Sequence, residues 1–167
     1  RCLRFDYMGH GDSSGDFEDV GAGFAESGDE GWRQVVALGD DDAAGVLVFN
    51  DETSTLSPLS PLGPKRQQLN RAIDGLEAEY NTLLYDVTIE ALAQMQEVYD
   101  PERINAIVLM TDGQDTASWS TDREALDALE RSARSDRPVR FFTIAYGADA
   151  ERDLLGRMAE ATAGRMV

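Results

Sequence analysis

Three short runs of nearly unbroken apolar residues, 45–50 (GVLVFN), 105–111 (NAIVLMT) and 139–145 (VRFFTIA), constrain this chain more than any other feature. Each is bounded by polar residues, as suits strands buried on both faces of a parallel sheet. Between them the apolar spacing turns helical. Leu69, Ile73, Leu76 and Tyr80 recur through 67–80, and Leu84, Val87, Ala91, Leu92, Met95 and Val98 build one face of 83–98. Thr121 and Glu124 stand at capping-box spacing ahead of Leu126 and Leu129. A last helix is expected from about Asp149 to Thr162, with Gly164 as its stop. Strands alternating with helices predict an α/β fold, a doubly wound, mostly parallel sheet flanked by helices. Residues 52–66 carry three prolines and read as a surface loop with room for a short edge strand.

Residues 1–44 fit this rhythm less well. The run 2–8 (CLRFDYM) makes an atypical first strand, with Cys2 a small core residue, and a Gly-rich, acidic stretch follows through Asp42. A helix is expected around Glu30–Leu38, while Gly21, Gly23 and Gly28 weaken anything longer.

Charge and composition exclude several classes of function. The formal charge is −17 with a pI near 4.2, the opposite of the basic surface that nucleic-acid phosphates require. Lys65 is the sole lysine; acidity with arginine as the main base fits either a salt-rich habitat or a GC-rich genome. One cysteine cannot form an internal disulfide, and with one histidine, His10, there is no Cys/His cluster for zinc. No apolar run approaches the roughly 18 residues of a membrane span. The chain starts at Arg1 without a signal-like stretch and reads as an excised piece, so its ends carry no address.

In an open α/β sheet, ligands bind beyond the carboxyl ends of the strands. Thr111-Asp112-Gly113 sets a carboxylate at the end of one strand, and Asn81-Thr82 sets a hydroxyl ahead of a helix. Near the start, Asp12-Ser13-Ser14-Gly15-Asp16 adds two carboxylates and two hydroxyls. Oxygen donors of this kind suit a hard divalent cation. Taken singly, Thr-Asp-Gly reads equally as a turn and Thr82 as a plain helix cap. Asp51 and Asp115 read as solvated loop acids.

GVLVFNDE (45–52), NTLLYD (81–86), IVLMTDGQD (107–115), VRFFTIAYG (139–147) and TAGRMV (162–167), in this order, resemble the von Willebrand factor A family over about residues 31–167. The resemblance implies a metal-ion-dependent adhesion site at the top edge of the sheet. There Mg²⁺ (or Mn²⁺ or Ca²⁺) is completed by an acidic group of a protein partner. Matched position by position, Thr82 is the threonine ligand and Asp112 the aspartate before glycine. Asp12, Ser14 and Asp16 are the nearest match to the D-x-S-x-S element, with Asp16 in place of the final serine. The implied role is a binding module and not an enzyme, with no catalytic residue. The bacterial domains it resembles occur in cell-envelope or secreted proteins.

Residues 1–20 (RCLRFDYMGHGDSSGDFEDV) are similar instead to an α/β-hydrolase segment carrying G-H-G-x-S. The chain therefore divides into an atypical segment, 1–30, and a von Willebrand factor A domain, 31–167, truncated at its ends. Gly11-Asp12-Ser13-Ser14-Gly15 also fits G-x-S-x-G, with Ser13 as nucleophile. A serine nucleophile needs a histidine base late in that fold, and none follows His10. Three functions result: a metal-dependent binding module, the same fold with a dead metal site in a structural or regulatory role, and, last, an esterase.

Overall fold

In the computed structural model the described residues are 3–10, 39–74, 82–111, 114–145 and 150–167; for 3–10 and 74 the description is of the backbone. They form five strands, β1 (Leu3–His10), β2 (Ala43–Phe49), β3 (Thr53–Pro61), β4 (Ile104–Thr111) and β5 (Arg140–Ala145). Four α-helices accompany them: α1 (Arg66–Asp74), α2 (Leu84–Glu97), α3 (Asp122–Ala133) and α4 (Arg152–Glu160). A single 3₁₀ turn, Gly63–Lys65, leads into α1. The strands make one sheet in the order β3-β2-β1-β4-β5.

The α/β fold expected from the alternation is present, and the three apolar runs are β2, β4 and β5. Those three strands share one direction, and β4 pairs with β5 in parallel. The connection between them passes through α3, as a parallel crossover requires. The sheet is nevertheless mixed, because β1 and β3 run against their neighbours. The first strand, irregular in sequence, is thus also reversed. Its last residue, His10, pairs with Ile104 at the start of β4, and Arg4 pairs with Met110 near the end of β4.

The proline-rich stretch is a nine-residue edge strand and not mainly loop. An edge strand tolerates proline where no ladder bond is needed. Register slips between Ala44 and Val46 leave Pro58 and Leu59 opposite Gly45, a bulge that absorbs one proline. A side chain at Gly45 would meet the Leu59 backbone nitrogen at 2.8 Å, so this close approach needs glycine.

Strand periodicity divides the core into two layers. Leu47, Phe49, Ile107, Leu109 and Phe141 face α2, α3 and α4, with Leu84, Met95, Leu129, Leu155 and Met158 beneath them. Their alternates Ala44, Val46, Ala106, Val108, Phe142 and Ile144 face the other way, against Leu69 and Ile73 of α1. Leu84 and Met95 are 0% and 1% exposed, each contributing about 1.5–3 kcal/mol by burial. The helix expected over 67–80 is described only as α1, and the one expected around 30–38 lies outside the described residues. No described helix is long and apolar enough to cross a membrane.

Candidate functional site

β4 and β5 end at the same edge, and α2, α3 and α4 begin there. A helix N-terminus exposes unpaired N–H donors, so three helix starts make this edge rich in donors. The chain from 114 to 121 crosses it and supplies the acceptors. Leu83, the N-cap of α2, gives no side-chain cap. Instead Leu84 N–H donates to Asp115 Oδ1 at 2.8 Å, and Tyr85 N–H donates to Ser118 Oγ at 3.0 Å. Asp86 then accepts from the N–H groups of Trp119 and Ser120 at 2.8 and 3.0 Å. The cap of α2 therefore comes from residues some thirty positions away. Asp115 is a half-buried cap and not a solvated loop acid.

Thr82 is built into this junction by its backbone. Its N–H donates to Thr116 Oγ1 at 2.8 Å, and its carbonyl accepts from Thr116 and Ala117 at 3.0 and 3.2 Å. The residue is only 2% exposed, and its hydroxyl bonds to none of the described residues. Asn81, Asp112 and Gly113 lie outside the described residues, and a buried hydroxyl is satisfied by a protein group or by a hard cation. Thr82 is therefore not the cap of α2. Of the five residues that sequence assigns to a metal, it alone is described; Asp12, Ser14, Asp16 and Asp112 lie outside the described residues. Among the described residues no three His, Cys, Asp or Glu side chains gather to hold a metal. A cation at this edge would thus depend on Asp112, which follows Thr111 at the end of β4. β1, by contrast, ends with His10 at the opposite edge, where β4 begins.

Beside this junction lies a cleft of about 550 Å³ between the starts of α2, α3 and α4, lined by Tyr85, Asp122, Glu151, Arg152, Asp153 and Arg157 among others. Burial, followed by the nearby charges of Glu151, Asp115 and Asp122, pushes the Tyr85 phenol up to about 12. The phenol stays protonated and the field around it is negative. Burial also works to raise the Asp86 carboxyl, but bonds from the Ser120 hydroxyl and the Trp119 and Ser120 N–H groups outweigh it and hold the carboxyl below its ordinary value.

Sequence reasoning missed Asp115, Ser118 and Asp86 as the clasp between this segment and α2. The signal available was the D-x-x-S spacing of Asp115 and Ser118, a local turn pattern. It also passed over Trp119, which stands 96% exposed.

No curated protein matches the chain closely enough to count as a relative. The model of the von Willebrand factor type A domain matches residues 34–167, spanning β2 to α4, the clasped segment and Thr82. By that match the chain belongs to the von Willebrand factor type A domain family, whose members generally serve as protein-interaction modules.

Proposed function

We propose that this domain is a non-enzymatic protein-binding module in which a divalent cation sits at the carboxyl edge between Thr82 and Asp112. The observation that carries this reading is the buried Thr82 hydroxyl. It is pinned by its backbone to Thr116 and Ala117, only a few residues beyond Asp112. Mg²⁺ is the expected ion, with Mn²⁺ or Ca²⁺ as substitutes, since all accept hydroxyl, carboxylate and water oxygens. An acidic group of a partner would fill a position held by water. β1 ends with His10 about 20–25 Å from this edge along an eight-residue strand. Asp12, Ser14 and Asp16 lie outside the described residues, and the proposal makes all three subordinate to Thr82 and Asp112. An extracytoplasmic setting, as for the bacterial domains it resembles, belongs to the same proposal.

Titration with Mg²⁺ and Mn²⁺ by calorimetry tests the reading. Saturable binding at micromolar to millimolar ion, lost in Asp112→Ala and at least tenfold weaker in Thr82→Ala, is expected, with Asp12→Ala close to the parent. Equal binding in Asp112→Ala and the parent would sink it. An absence of binding in both would favour a second reading, the same fold with a dead metal site in a structural or regulatory role. The reversed β1 is the observation that favours that reading. An esterase reading would require Ser13 to work with His10, three residues away in sequence, and no observation supports it.

A further inference from the structure

Trp119 is the largest side chain among the exposed apolar residues described, and at 96% it projects almost wholly into solvent. Its surroundings are not loose. Its own N–H is bonded to Asp86, Ser120 N–H to the same carboxylate, and Ser118 Oγ accepts from Tyr85 and Asp86. The ring is thus carried on a backbone clasped to the first turn of α2. An aromatic side chain held out on a fixed backbone loses little freedom on binding, which is how interface anchors are built.

The charge around it selects the partner. Asp86, Asp115, Asp122 and Glu124 lie within the clasped segment and its neighbouring helix turns, where Arg123 is paired with Asp127. Asp122, three residues beyond Trp119, also lines the cleft, where Glu151 and Asp153 stand with Arg152 and Arg157 and the acids outnumber the bases by one. Burial first, and then the charges of Glu151, Asp115 and Asp122, hold back ionisation of Tyr85 beside it. A guanidinium stacks on an indole face and is drawn by the same acids. A second copy of this chain, also at −17, would meet like charge instead.

We propose that Trp119, with the acids Asp86, Asp115, Asp122 and Glu124 around it, is the anchor of a docking surface for a basic, arginine-containing protein segment, which lies across the cleft between α2, α3 and α4. This rests on the proposed binding role of the carboxyl edge but not on the metal.

Two fluorescein-labelled peptides separate the two readings, one of alternating arginine and glycine and one with a central glutamate added. Trp119→Ala should weaken both about 3- to 30-fold, with or without Mg²⁺, and Trp119→Phe should recover part of that loss. The glutamate should add affinity only with Mg²⁺ and only when Asp112 is intact, which reports the metal and not the tryptophan. Parent-like binding by Trp119→Ala would overturn the proposal. So would equal binding of an alternating aspartate and glycine peptide, or a parent that self-associates through Trp119 in sedimentation. Because the ring is outside the core, its removal should leave the melting temperature unchanged.

Discussion

At the scale of single residues, the end of α4 shows how far a composition rule reaches. Gly164 is the natural stop for that helix, yet the residue in the left-handed region is Ala163, with φ 57°. A side chain there costs about 1–2 kcal/mol. Gly164 is needed for a different reason: a side chain on it would stand 2.0 Å from the Phe141 carbonyl oxygen. Its N–H closes on Ala159 O at 3.0 Å, and this contact seats the C-terminal residues against β5, where Thr143 bridges Met166 in parallel. The two neighbours should therefore respond in opposite senses. Ala163→Gly is expected to stabilise the domain by about 0.5–1 kcal/mol, the relieved backbone strain exceeding the added freedom of the unfolded chain. Gly164→Ala is expected to cost about 2 kcal/mol or more, since backbone must move. Urea unfolding of both variants measures the pair, and a destabilised Ala163→Gly would show that the left-handed site is not strained.

At the scale of elements, α2 is held at its start by a distant segment, and that junction should be pH-sensitive. The Asp86 carboxyl lies below its ordinary value because the bonds from Ser120 and Trp119 outweigh burial. A depressed carboxyl stabilises the fold fully above its unfolded value, near pH 4, and the gain fades as pH falls through the lower folded value. Asp86→Asn should then cost about 1–2 kcal/mol at pH 7 and progressively less below about pH 4. Urea midpoints at pH 7 and pH 3 check this, and a cost independent of pH would remove the charge from the account. The same junction explains what sequence could and could not reveal. β2, β4, β5, α2, α3 and α4 were legible because their signals are local: an apolar run, an i, i+4 face, and the capping box of Thr121 and Glu124, which forms in full. Thr82 and Asp112 were singled out for the same reason, each standing next to an element end. The direction of β1 was not legible, since an apolar strand reads alike from either end and only its connections orient it. β3 was legible only as a short edge strand within a loop; its nine-residue length was hidden by Pro58 and Pro61, whose effect depends on the bulge opposite Gly45. Asp115 and Ser118 were hidden because the donors they satisfy lie on the far side of α2 and β4 in sequence.

At the scale of the whole molecule, one property acts on stability and on binding with opposite sign. A charge of −17 on 167 residues repels itself in the compact state, and added salt screens that repulsion. Raising NaCl from about 0.05 to 1 M shortens the screening length from roughly 14 to 3 Å. The domain should gain about 1–2 kcal/mol, or roughly 3–6 °C in Tm. Asp41, Glu52, Glu97 and Glu102 are exposed, and a variant carrying all four as Asn or Gln should start more stable and gain less from salt. The same screening should loosen the arginine–glycine peptide by tenfold or more, because its attraction to the edge around Trp119 is electrostatic at long range. Paired melting and binding curves across the salt series test this directly. Tm rising while affinity falls places the net charge in both roles. Tm falling with salt would mean that specific ion pairs, such as Arg66 with Asp40, outweigh the general repulsion. Salt-independent affinity would instead leave Trp119 acting through apolar contact alone, without the acids around it.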